Sequence, residues 1–366
     1  MNMEKITDRE AISITTLFVL GSTLILGIGG EAKNDAWIAA IAGLLFSVPI
    51  FLVYSRIVSI FPGKDLFEIL NLVFGKYIGK FIALLYIWYA FHLGALVMRN
   101  FGEFVNTLGL PETPMFVILL TLGLVCVVAV KLGIEVVGRA SAYFIPFVFA
   151  NLLIVHILAF PQLKFNYVKP ILYNGIEPVI KGGFSALSFP FAETFILMSA
   201  FSALKTKKSS FKVYFSGLFL AGITIIIVTL RNIFMLGKSF GLFYFPSYIA
   251  VSHIGIGDFI QRIEVAVSFV FAVAATVKVS VCLFAACKGI GRVFGLEDYR
   301  SVTINVGLFM IYFSFIIYDS IMDMRYWAYM IYPYYAFPFQ IIIPVIVWIA
   351  AEVKKKKTIK IKASAL

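Results

Sequence analysis

Long apolar runs separated by short polar breaks fill the chain from about residue 10 to residue 351. At roughly 20 residues per membrane crossing, they predict ten spans, near 10–30, 36–57, 79–106, 113–131, 136–160, 176–203, 211–236, 262–288, 302–321 and 334–351. Two connecting segments have a character of their own. Residues 61–80, FPGKDLFEILNLVFGKYIGK, set apolar side chains at helical spacing beside lysines, as a short interfacial helix does. Residues 237–262 are too polar and glycine-rich to span yet strongly aromatic, and are expected to lie across the outer mouth.

Two of the spans are interrupted. The first contains GSTLILGIGG, residues 21–30, whose glycines each weaken a helix by about 1 kcal/mol relative to alanine. The sixth contains SALSFPFAET, residues 185–194, with a proline that removes a helix hydrogen bond and a carboxylate that costs roughly 2.5–3.5 kcal/mol at bilayer depth. Interrupted spans at matching places in two halves point to an inverted-repeat transporter fold with its site at the midplane. The expected architecture is therefore all-α: one transmembrane domain over residues 1–366, with repeats of about 10–160 and 176–351 and a basic tail at 352–366. Close helix packing at the glycines and a plain kink at Pro190 are the bland alternatives.

Composition narrows the class. The 366 residues are 61% hydrophobic and only 14% charged, where a soluble domain is about 25% charged, and the mean hydropathy is +0.97. Almost no chain is left for a soluble domain. The net charge of +12 is read by loop and not as a sign of nucleic acid. Lys5, Arg9, Arg56, Lys64, Arg139, Lys212, Arg292, Arg300 and the tail lysines fall on one side, which makes both termini cytoplasmic. The sparser set, including Lys33, Arg99, Lys164, Arg231 and Arg325, falls outside. The tail AEVKKKKTIKIK suits anionic lipid. Cys126, Cys282 and Cys287 lie in apolar segments as buried hydrophobes. The first apolar segment lacks a clear cleavage site and is read as retained.

The candidate chemistry is that of binding. Backbone groups freed by a helix break are tolerable only where protein or a watery cavity satisfies them, and half-helix ends offer N–H donors to a carboxylate and carbonyls to an ammonium. A zwitterionic amino acid suits both. Glu193 has three possible roles: a gate or polar anchor, a proton relay, or a partner of a buried base. Lys278, flanked by Thr276 and Ser280 in ATVKVSV, must snorkel, lose its proton or pair across helices. His92, His156 and His253 lack metal-ligand spacing, and no nucleophile with an identifiable base is present, so neither a cofactor, a metal nor an enzyme is expected. Arg99 with Glu103, and Asp319 and Asp323 with Arg325, are read as boundary ion pairs. The run YWAYMIYPYYAF, residues 326–337, is read as an aromatic belt.

ITDREAISI, the glycine-rich first span with GST, NDAWIAAIAG and SFPFAETF together resemble the spore germination permeases, the B subunits of nutrient germinant receptors within the amino acid–polyamine–organocation superfamily. The resemblance covers most of the chain. It implies a LeuT-like fold of five plus five spans, with spans one and six discontinuous, and assembly with a membrane A subunit and a lipoprotein C subunit in the spore inner membrane. By analogy with that fold, the backbone at Gly21, Ser22, Thr23 and Leu24 meets the ligand carboxylate. Carbonyls around Ala186, Leu187, Ser188 and Phe189, next to Pro190, meet its amine. Tyr86 or Tyr89 closes the pocket and Phe189 or Phe191 gates it. Lys278 stands where some superfamily members bind sodium, which argues against sodium coupling. The implied function is a membrane sensor of a small germinant, with a proton-coupled amino acid transporter as the alternative.

Overall fold

The computed structural model describes residues 4–206, 209–255 and 262–364, with side chains described as far as Lys356. The chain starts with Thr7, whose hydroxyl caps the Glu10 amide while the Glu10 carboxylate returns to the Thr7 amide, so two orphan donors are satisfied at once. Helix α1 (Asp8–Leu20) then stops at Gly21 (φ 20°, ψ −127°) and restarts as the single turn α2 (Thr23–Leu26), which ends at Gly27 (φ 75°). Helices α3 (Ala36–Ile60), α4 (Leu66–Leu108), α5 (Met115–Leu132) and α6 (Ile134–Ala159) complete the first half. The expected interfacial helix is present as the beginning of α4. A second capping box, Asp65 with Glu68, starts it, and Gly75 (φ 80°) interrupts it before the span proper.

The second half opens with α7 (Glu177–Ala186). A π turn (Leu187–Phe191) with Phe189 extended at φ −130°, ψ 109°, a 3-10 stretch (Ala192–Leu197) and α8 (Met198–Phe201) follow. Then come α9 (Ser210–Leu236), the short α10 (Pro246–Ser252), α11 (Glu264–Phe294) and α12 (Thr303–Ile316). Segments α13 (Ile321–Tyr326), α14 (Tyr332–Phe337) and α15 (Ile343–Ser364), joined by π turns, form one long helix. Among the described residues nine helices are long and apolar enough to cross a membrane, and α12 is a shorter apolar one.

Three boundaries differ from the hydropathy reading. The last helix begins at Ile321, 13 residues before the expected 334, because tyrosine and proline lower hydropathy without stopping a helix. The last helix also ends later than the expected 351, with α15 continuing through the basic tail to Ser364. The aromatic loop folds partly into α10, which packs on α2, α9 and α11; residues 256–261 of that loop lie outside the described set.

The start of α1 and the basic end of α15 lie at one end of the bundle. Asp8 accepts from Ser209, Ser210 bonds the Ser55 carbonyl, and Arg56 pairs with Glu352 at 2.5 Å. The opposite end carries the sparser basic set and is the outer end in the positive-inside reading. Core-lining α11 packs against α1, α4, α5 and α6, and it carries Lys278 to the centre of the molecule.

Candidate functional site

The two helix breaks meet at an ion pair. Lys278 on α11 donates its ammonium to Glu193 Oε2, and both side chains are wholly buried. The lysine reaches Glu193 by crossing Gly21: a Cβ there would lie 2.6 Å from Lys278 Cδ. The first-span break thus has a steric cause as well as a conformational one. The ammonium sits 5.1 Å from the Phe18 ring and 5.2 Å from the Phe189 ring, one from each broken span. It also faces the C-terminal end of α1, where unpaired carbonyls favour a cation. Glu193 lies in the first turn after the sixth-span break, where amides favour an anion.

From Glu193 a directed hydrogen-bond chain runs to the last helix. Tyr332 Oη donates to Glu193 Oε1 at 2.6 Å and lies 3.0 Å from Tyr89 Oη. Gln340 Nε2 donates to Tyr89 Oη and to the Ser188 carbonyl, both at 2.8 Å. Since Tyr332 spends its proton on the carboxylate, Tyr89 donates to it and accepts from Gln340. The order is Gln340, Tyr89, Tyr332, Glu193.

The expected residues divide accordingly. Gly21, Ser188, Phe189, Glu193, Lys278 and Tyr89 converge. Ser22 accepts from Asn100 of α4 at 3.4 Å. Thr23 bonds back to the Val19 carbonyl at 3.1 Å, and Thr23 and Leu24 begin the restarted helix, whose first amides have no carbonyl a turn back. Ala186 and Leu187 end the regular turn of α7, with Ala186 seated against Gly43. Pro190 and Phe191 are buried behind the break, and Phe189, not Phe191, separates the cavities described below. Tyr86 is one step removed, donating to the Phe339 carbonyl at 2.8 Å. Thr276 and Ser280 point elsewhere. Two residues along a helix is about 200° around it, and the Thr276 carbonyl instead meets the Cys126 thiol of α5.

Tyr332 and Gln340 were missed, as were Asn100 and Trp327. Residues 326–337 are not a surface belt throughout: Tyr326 and Tyr334 are exposed, but Tyr329, Tyr332 and Tyr335 form an inward stripe at i, i+3 spacing. That spacing, together with a lone glutamine in an apolar run, was the available signal.

A path of cavities leads inward from the outer end. A vestibule of about 530 Å³ is lined by Glu31, Asp323, Tyr326 and Met330, among others. Its floor is Arg325, 5.2 Å from the Tyr244 ring and 5.9 Å from the Tyr329 ring. Beneath lie two small cavities, each of about 20 Å³ and sharing Leu26, Phe189 and Ala328; the deeper one reaches Asn100, Glu193 and Tyr332. Each has room for about one water, so the centre is occluded. The expected pairing of Arg325 with Asp319 or Asp323 is absent among the described residues. Arg325 instead bonds the Gly241 and Leu242 carbonyls at 2.5 and 3.4 Å, while Asp323 caps with Ser320. Arg99 does pair with Glu103, at 2.8 Å. The three histidines are apart: His156 and His253 each bond a carbonyl one turn back and His92 stacks on Trp88.

At the inner end Arg292 and Lys288 approach Asp65 at 3.0 and 3.7 Å. Lys288 also ties down Ser199 and Ser202, and Arg300 holds Glu4 at 2.7 Å. The centre is closed from both ends.

Two broken spans flanking a buried polar centre define a membrane protein of the LeuT-type transporter fold. The fold is also that of a nucleobase–cation symporter, Mhp1, in a closed conformation (TM-score 0.65, 12% identity, 100% of this chain and 94% of that one). It is shared by MhsT in complex with L-phenylalanine (TM-score 0.66, 13% identity, 92% and 88%). Residues 5–322 match the family described as spore germination protein, and the chain belongs to that family. Spore germination protein KB of Bacillus subtilis (strain 168) is 27% identical over 367 residues, 99% of this chain and 98% of that protein.

Proposed function

We propose that this protein is the transporter-like membrane subunit of a spore nutrient germinant receptor, and that it binds a small zwitterion, an amino acid, between the broken spans. The observation that carries the reading is the Lys278–Glu193 pair bridging the two breaks. Four half-helix ends meet there. The resident ammonium and carboxylate occupy two of them, the end of α1 and the restart of span six. The other two, the first amides of α2 and the last carbonyls of α7, are left for a ligand carboxylate and amine.

Binding is a population shift. With space for about one water at the centre, a ligand enters only when Phe189, Trp327 and Tyr332 move. Its differential affinity for the rearranged state sets how far the equilibrium goes. The rearrangement is passed to a membrane A subunit and a lipoprotein C subunit in the spore inner membrane. Both termini face the cytoplasm, and the lysine-rich end of α15 lies on anionic lipid. The chain itself is non-catalytic.

The test is Lys278→Ala in germinating spores. Ligand response should be lost while the protein still accumulates in the membrane; a fully responsive variant removes Lys278 from the site. A proton-coupled carrier is the second reading, favoured by closure at both ends around a central site. Saturable uptake of radiolabelled amino acid into proteoliposomes, raised by a pH gradient, would establish it.

A further inference from the structure

Away from the centre, one crevice joins a charged mouth to apolar walls. It opens at the terminal end of the bundle, between α1, α6 and α9, with a volume of about 430 Å³. Asp8, Arg9 and Lys212 stand at the mouth, and Ile12, Ile145, Pro146, Phe149 and Leu220 line the interior.

The charges at the mouth do not cancel. Asp8 is satisfied within the protein, accepting from Ser209 at 2.9 Å and Lys212 at 3.3 Å. Arg9 is exposed and has no ion-pair partner among the described residues. One guanidinium and one ammonium therefore face a single carboxylate at the mouth.

The interior is of the opposite character. From Lys212 to Leu220 the groove descends about 12 Å along α9, a depth that takes the upper part of an acyl chain. The adjoining face of α6 is exposed and aromatic, with Tyr143 64% and Phe147 51% accessible, as a surface against hydrocarbon is. A soluble anion would use the mouth and leave the walls without a partner. A neutral lipid would fill the walls and leave the Arg9 guanidinium unpaired.

We propose that this crevice is a binding site for an anionic phospholipid, its phosphate held by Arg9 and Lys212 and one acyl chain lying along Ile145, Phe149 and Leu220. The lipid bears directly on α1, the inner half of the broken first span.

Native mass spectrometry of the full-length protein, exchanged against phosphatidylglycerol or phosphatidylcholine in detergent, tests this. The wild type should retain one phosphatidylglycerol and no phosphatidylcholine. Arg9→Gln with Lys212→Gln should weaken retention roughly 30-fold, about 5-fold for each basic group. Replacing Lys354, Lys355 and Lys356 by glutamine should leave this lipid in place, which separates the crevice from the tail. Ile145→Trp fills the groove with every charge intact and should also expel the lipid, so the test survives if the charge variant does not fold. Wild-type retention by either crevice variant, or phosphatidylcholine held as strongly as phosphatidylglycerol, would overturn the site.

Discussion

Lys278 and Glu193 belong to a class of interaction whose components are costly alone and nearly neutral together. Two charges moved from water into a protein interior lose hydration that their mutual attraction only roughly repays, but removing one partner strands the other at roughly 3–5 kcal/mol. Both side chains here are wholly buried, and Tyr332 supplies a further donor to the carboxylate. Lys278→Met should therefore lower stability by roughly 3–5 kcal/mol, and Glu193→Gln by a similar amount. The double variant should be distinctly more stable than the sum of the two losses, because it leaves no unpaired charge. Thermal unfolding of the detergent-solubilised proteins followed by tryptophan fluorescence checks this; additive losses would show that the pair is not coupled. Ligand response should stay absent in the double variant, which separates the pair's structural part from its part in recognition.

At the scale of elements, Arg325 joins the last helix to the segment ahead of α10. Its guanidinium bonds two carbonyls of that segment and covers the Tyr244 and Tyr329 rings, and Tyr329 in turn bonds the Leu26 carbonyl of α2 at 3.0 Å. One side chain thus latches three elements over the entrance. Arg325→Gln should open it. With Ala328→Cys as a reporter below the latch, a water-soluble thiol reagent should react about tenfold faster in the Arg325→Gln protein, since a hydrogen bond to a charged group contributes about 1.5–3 kcal/mol. The native cysteines are all buried and give little background. Unchanged labelling would place the barrier elsewhere, at Phe189. This latch was not legible in the sequence, where Arg325 reads as the natural partner of Asp323 two residues away. The breaks in spans one and six were legible, because a glycine cluster in one and a proline beside a membrane-depth carboxylate in the other recur at matching places in the two halves. The partnership of Lys278 with Glu193 was not, since the two are 85 positions apart and only the packing of α11 against both breaks unites them. The inward tyrosines were hidden by composition: hydropathy cannot tell a tyrosine at the interface from one that gives its hydroxyl to a buried carboxylate.

For the molecule as a whole, the resident ion pair bears on what drives binding. Mhp1 is a transporter of a nucleobase–cation symport family. Here the carbonyl end of α1, the place in the broken first span that favours a positive charge, already faces the Lys278 ammonium, and the Glu193 carboxylate beside it is shared between Lys278 and Tyr332. An alkali cation entering this region would have to displace an ammonium tethered at far higher effective concentration. Ligand binding should accordingly be indifferent to sodium. Titration calorimetry with the purified protein and its germinant, in sodium chloride and then in choline chloride of equal ionic strength, should give dissociation constants that agree within a factor of about two, well under the 5–150-fold typical of coupled sites. Lys278→Ala separates the explanations. If the tethered ammonium is what makes sodium superfluous, any affinity left in this variant should become sodium-dependent. A sodium requirement in the wild type would show instead that the ammonium leaves its seat during binding, and that the closed arrangement is only one of the states the ligand meets.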